Sequence, residues 1–127
     1  MALDEASKAF VEAARQSATK AREQMTPDEA REATARMRAV MSDGASMRVV
    51  EDFSIVLDDV TLPARRFVPD GELTGLLVYY HGGGWVVGSL KEFDPLCREI
   101  AAATGCVVIA VQYRKAPEHP YPVPVED

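Results

Sequence analysis

Residues 75–111 constrain the fold more than any other part of this sequence. Two uncharged apolar runs, GLLVYY at 75–80 and CVVIAV at 106–111, enclose a glycine triplet at 82–84 and a helical pattern. Apolar runs without polar alternation suit strands covered on both faces. Between them, Leu96, Cys97, Ile100 and Ala101 recur at helical spacing as an inward face. Asp94 is a good N-cap with Pro95 at the first helical position, and Gly105 closes the helix. Ser89 and Glu92 form an earlier capping box, so two starts stay open. Strand, helix, strand predicts a right-handed crossover joining a parallel pair.

Upstream, two helices precede any strand. Leu3, Ala6, Phe10, Ala13, Ala14, Ser17 and Ala21 lie at helical spacing, predicting an amphipathic helix over 3–24. Its mostly alanine face buries little area alone, so it must lean on something larger. Thr26 as N-cap, Pro27 at the first position and Glu29 as the return of a capping box start a second helix. Ala30, Met37, Val40 and Met41 continue it to Gly44, the expected C-cap. The period then drops to two. Phe53, Ile55 and Leu57 alternate with Ser54, Val56 and Asp58, Asp58–Asp59 makes a turn, and 60–68 returns as a second strand. The pair reads as an antiparallel hairpin, with Pro63, Arg65 and Arg66 suggesting an edge position for the second strand. A turn at Asp70 and Gly71 follows. The proline-rich tail at 113–127 excludes a strand or a helix interior. The closing Glu126 and Asp127 suit the first turn of a new helix.

At 127 residues the chain can bury one core. Its net charge of −6 argues against nucleic acid, which calls for a basic face. No apolar run reaches membrane-spanning length and the first residues lack signal-peptide character, so the expectation is a cytoplasmic protein without a membrane partner. Cys97 and Cys106 match no metal or redox spacing and read as free thiols.

The triplet sits between a buried strand and a helix, where a phosphate site comes first to mind. Spacing excludes it. A dinucleotide fingerprint needs a third glycine at Val87, and a P-loop from Gly83 to Gly88 and Ser89 lacks the lysine. An oxyanion hole fits better. Acyl transfer builds charge on a carbonyl oxygen, and glycines let that oxygen approach backbone N–H groups closely.

HGGGW at 81–85, followed by YRKAPEHPYPVPVED at 113–127, resembles the hormone-sensitive-lipase-like branch of the α/β-hydrolases, which are carboxylesterases and acetyl hydrolases. The resemblance implies the N-terminal part of an α/β-hydrolase fold. Its parts are two cap helices in 1–46, then an incomplete core in 47–127 with the antiparallel hairpin and the parallel crossover. It also implies that Gly83 and Gly84 supply the oxyanion donors, Gly82 makes the turn and His81 orients the loop. Trp85 would touch substrate. Lys115 stands where the family usually has leucine and Pro124 where it often has alanine. No cofactor and no metal are implied.

The family's nucleophile lies in Gly-x-Ser-x-Gly on a strand-to-helix turn. The nearest approach here, Gly44 to Arg48 around Ser46, has arginine for the second glycine and lies between a helix and a strand. Ser89 directly follows Gly88 and fails too. His119, between Glu118 and Pro120, reads as structural, and Cys97 on an inward helix face reads as inert packing. The serine, acid and base are therefore expected beyond Asp127. The reading is an ester hydrolase carrying its cap and oxyanion loop but no triad, whose complete form takes a small-molecule ester. The alternative is a non-catalytic ligand-binding module, since the resemblance extends to plant hormone receptors on this fold. The strand at 75–80 is expected to present an open edge to a C-terminal half or to a second copy.

Overall fold

In a computed structural model, residues 3–17, 20–38 and 41–127 are described. Helices α1 (Glu5–Ser17) and α2 (Pro27–Arg38) come first, followed by strands β1 (Val49–Val56), β2 (Thr61–Val68) and β3 (Gly75–Tyr80). Helix α3 (Leu90–Thr104), strand β4 (Cys106–Val111) and a single turn, α4 (Val123–Glu126), complete the order. The sheet runs β1-β2-β4-β3. β1 and β2 form the antiparallel hairpin, while β3 and β4 pair in parallel from Gly75↔Cys106 to Tyr80↔Val111 with α3 as the crossover.

β2 is not an edge strand, contrary to expectation. It pairs antiparallel with β4 through Ala64–Phe67. Pro63 is tolerated because it lies at the end of that ladder, where only its carbonyl is needed, accepting the Gln112 N–H at 2.8 Å. The arginines serve cross-strand pairs instead: Arg65 and Arg66 stand opposite Asp52 and Glu51 and bind them at 2.6 Å and 2.5 Å.

The core lies between the sheet and α3. Phe67, Val108 and Ala110 meet Cys97 and Ala101, with Met47, Leu77, Tyr79, Leu90 and Ile100 packed around them. Leu96, expected inward, is exposed. β3 is covered on this one face only. Leu76, Val78 and Tyr80 on the other face are 64%, 48% and 58% exposed, so the expectation of a strand buried on both sides fails among the described residues. The reason is that, among the described residues, α3 is the helix that packs on the sheet, and it takes the Leu77 and Tyr79 side.

α3 begins at Leu90 after Ser89, the earlier of the two starts. Asp94 and Pro95 therefore sit inside the helix. Gln112 Oε1 accepts the Leu90 N–H at 3.1 Å, doing what the Ser89 side chain does not. A proline inside a helix leaves the carbonyl four residues earlier without its N–H partner. Here that carbonyl belongs to Lys91, and Arg38 Nε of α2 donates to it at 3.2 Å. Gly105 ends α3 at φ 71°, as expected.

The expected helix over 3–24 is shorter. It starts after Asp4, whose carboxylate accepts the Ser7 N–H at 2.8 Å, and runs to Ser17; a 3₁₀ turn follows at Arg22–Gln24. Leu3 and Phe10 of its apolar face are exposed. The Thr26–Glu29 capping box of α2 is present in both directions, at 2.7 Å and 3.3 Å. α2 ends at Arg38, Met37 and Met41 are exposed, and Val40 lies outside the described residues. Gly44 does not cap α2. A Cβ there would stand 2.8 Å from the Pro95 backbone, so this glycine lets the linker cross tightly over α3.

Candidate functional site

β3 delivers the chain into His81 and the glycine triplet at the end of the strand. His81 is 4% exposed and held on every side. Its ring stacks on Tyr113 with centroids 4.5 Å apart and on Phe93 at 5.4 Å. Nδ1 lies 2.9 Å from the Gly82 carbonyl, Nε2 lies 3.4 Å from Gln112 Nε2, and Tyr113 Oη donates to the His81 carbonyl at 2.6 Å. Burial pushes the imidazole pKa down. A neutral ring with Nδ1–H donating to Gly82 O satisfies this geometry.

The triplet then folds into a tight turn. The Gly83 carbonyl accepts from both Val86 N–H at 3.2 Å and Val87 N–H at 3.1 Å. Gly83 has φ 138° and Gly84 φ 58°, and Trp85 continues at φ 58°. A Cβ on Gly83 would stand 2.1 Å from Val87 O, and one on Gly88 2.5 Å from His81 Nδ1, so both positions exclude a side chain by contact. Gly82 and Gly84 face open space.

Three carbonyls of this loop are tied to other segments. Trp85 O accepts the Ala116 N–H at 2.9 Å, Val86 O accepts Arg31 Nε at 2.9 Å, and Gly88 O accepts Lys115 Nζ. By contrast, the Gly83 and Gly84 N–H groups have no acceptor among the described residues. They border a cleft of about 620 Å³ lined by Tyr80, Trp85, Tyr113, Pro124, Val125 and Asp127 along with the loop itself. Two unsatisfied amides at an open cleft can bind an electronegative oxygen.

The other sequence candidates lie apart. His119 is exposed, its N–H bonded to Lys115 O at 2.9 Å. Cys97 is fully buried and burial pushes its thiol up to about 11, which removes it as a nucleophile at neutral pH. Ser46 lies on the linker before β1 and Ser89 precedes α3. Among the described residues no serine or cysteine is hydrogen-bonded to either histidine. No group of three metal-ligating side chains comes together there either.

Residues 77–127 match the family described as alpha/beta hydrolase fold. The whole chain superposes with a TM-score of 0.87 and 32% identity on an ester-hydrolase from the metagenome of Lake Arreo, covering 42% of that structure. The chain has the fold of the corresponding part of these α/β-hydrolase-fold structures. A hyperthermophilic esterase from the archaeon Pyrobaculum calidifontis is similar over 99% of the chain, with a TM-score of 0.86 and 35% identity, and 41% of it is covered. In sequence, the carboxylic ester hydrolase LipN of Mycobacterium tuberculosis is 44% identical over 97 residues, which are 73% of this chain. An arylesterase of Saccharolobus solfataricus is 39% identical over 77 residues. The chain spans about a quarter of these two relatives, 26% and 25%.

Sequence reasoning missed the groups that hold the glycine loop in place. Tyr113 and Lys115 lay in a motif noted for its prolines, and their aim toward His81 and Gly88 carries no local signature. Arg31 was missed altogether. It reads as an ordinary cation in the middle of an amphipathic helix, and its partners outside that helix lie 55 to 87 positions away in sequence.

Proposed function

We propose that this chain is the cap and oxyanion-hole segment of a carboxylic ester hydrolase of the hormone-sensitive-lipase-like branch. The single observation that carries the reading is that Gly83 and Gly84 line a cleft with N–H groups that have no acceptor among the described residues, while the Trp85, Val86 and Gly88 carbonyls are bound elsewhere. In acyl transfer those amides hold the oxyanion of the tetrahedral intermediate, a stabilisation of about 3 kcal/mol per donor. His81 orients the loop through Gly82 O, the turn follows from Gly83 onward, and Trp85 borders the substrate. Residues 1–46 act as the cap and 47–127 as part of the core. The substrate class is a small or medium carboxylic ester, hydrolysed through an acyl-enzyme in a cytoplasmic protein. The serine elbow, acid and base come from sequence beyond Asp127.

Alone, the chain should not turn over p-nitrophenyl acetate above background, because an oxyanion hole lowers a barrier only when a nucleophile is placed against the carbonyl. Joined to a C-terminal half bearing Gly-x-Ser-x-Gly, aspartate and histidine, it should gain turnover that serine-directed inhibitors abolish. Inhibitor-sensitive turnover by the chain alone, or none by the joined protein when folded, refutes the reading.

The same reading assigns an occupant to β3. Its outer edge has no strand partner among the described residues and carries neither charge nor proline, and Leu76, Val78 and Tyr80 expose one apolar face beside it. Such edges recruit strands. The C-terminal half fills this place in the complete protein, and a second copy fills it when the chain is alone. Sedimentation velocity should show association, with amides at 75–80 protected from hydrogen exchange only when the partner is present. A monomer that protects those amides unaided speaks against it.

A further inference from the structure

Arg31 of α2 uses its whole guanidinium. Nη1 and Nη2 grip the two Glu118 oxygens at 2.7 Å each, Nη2 also donates to Ala116 O at 2.9 Å, and Nη1 reaches Asp28 at 3.4 Å. The fork on Glu118 leaves Nε aimed at Val86 O, 2.9 Å away. That pairing also holds the Glu118 carboxyl well below its ordinary range, at about 2. All five donors of the guanidinium are thus engaged, something a lysine cannot reproduce.

A peptide unit is planar, and in its trans form C=O and N–H point in opposite directions. Val86 O and Val87 N–H belong to one unit; Arg31 holds the first and Gly83 O receives the second. Gly83 O and Gly84 N–H belong to the next. Fixing Gly83 O from behind fixes the direction of the Gly84 N–H in front. A parallel arm runs from Ala116 N–H through the Trp85–Val86 peptide to the same Gly83 oxygen. Hydrogen bonds in series also polarise one another, so a cation at the head of the series strengthens the donor at its end.

We infer that Arg31 is a positioning residue: from the cap helix, through two successive peptide planes, it sets the aim and donor strength of the Gly84 amide. Its consequence for catalysis rests on the oxyanion reading above, but the coupling itself does not. Arg31 links the cap to the loop, so cap movement is transmitted to the amide that faces the cleft.

The test uses the chain as it stands, with ¹⁵N–¹H spectra of Arg31→Gln and, as control, Arg38→Gln. Arg38 also docks α2 on the core, through Lys91 O, but touches no part of the glycine loop. Arg31→Gln should shift the Gly84 and Val87 amide resonances several-fold more than Arg38→Gln does, with the remaining spectrum retained. Arg31→Lys, which keeps the charge but not the fork, should shift them in the same direction and serves if the glutamine variant does not fold. Equal shifts in the Arg31 and Arg38 variants, or no shift at Gly84, overturn the inference. Neither outcome depends on turnover, so a failure here is distinct from a failure of the ester-hydrolase reading.

Discussion

On the oxyanion-hole proposal, Gly84→Val in a protein completed with its C-terminal half is expected to lower kcat by about 100-fold, close to 2.7 kcal/mol of lost transition-state stabilisation, with little change in KM. A β-branched residue is a poor occupant of φ 58°, so the peptide turns and the N–H leaves the cleft. Packing is not the cause, since a Cβ at this position meets nothing within 4 Å. That separates it from Gly83→Val, where the side chain would strike Val87 O and break the turn that shapes the whole loop. Gly82→Ala is the matched control, because Gly82 also faces open space and does not have a positive φ. It should keep most of the activity. Steady-state kinetics on a short-chain p-nitrophenyl ester, with circular dichroism to confirm folding, makes the measurement. A folded Gly84→Val with undiminished kcat removes this amide from the chemistry.

The largest stability effect is expected at Asp94. It is 7% exposed, accepts Arg65 Nη1 at 2.8 Å and Arg98 Nε at 2.5 Å, and so joins β2 to α3. Arg65 in turn grips Asp52 of β1 with Nε and Nη2 at 2.6 Å and 2.8 Å. Asp94→Ala leaves two guanidinium groups facing each other across the vacated carboxylate, each still about three-quarters shielded from water. Breaking a fully buried pair costs about 3–5 kcal/mol; the partial exposure here puts the loss near the lower end, roughly 3 kcal/mol. For a chain of this size that lowers Tm by roughly 10–15 °C. Thermal and urea melts of Asp94→Ala test this, and Asp94→Asn, which keeps shape and one acceptor, should fall between it and the parent. A loss under about 1 kcal/mol would show the network to be surface-like in energy.

The sequence by itself determined the elements whose cause is local. The Thr26–Glu29 box, the left-handed Gly105 and the strand–loop–helix–strand order each depend on residues a few positions apart, and each stands in the structure. The hairpin followed from alternation and an intervening turn, and the glycine triplet stands where strand β3 gives way to a loop. Other features were decided only by the tertiary structure. β2 became a central strand because β4 pairs along its free side, and alternation along one strand does not say who its neighbours are. Of the two starts left open for α3, the structure takes Leu90, because Gln112 caps it and Arg38 takes up the carbonyl that Pro95 leaves free. β3 is covered on one face because the described chain supplies one helix there, a matter of how much surface there is to cover it. The loop's carbonyls are held from α2 and the proline-rich segment, by groups up to 55 positions away in sequence. Local patterns encode period and caps within a few residues. Which distant donor meets which carbonyl is settled only when the core brings them together.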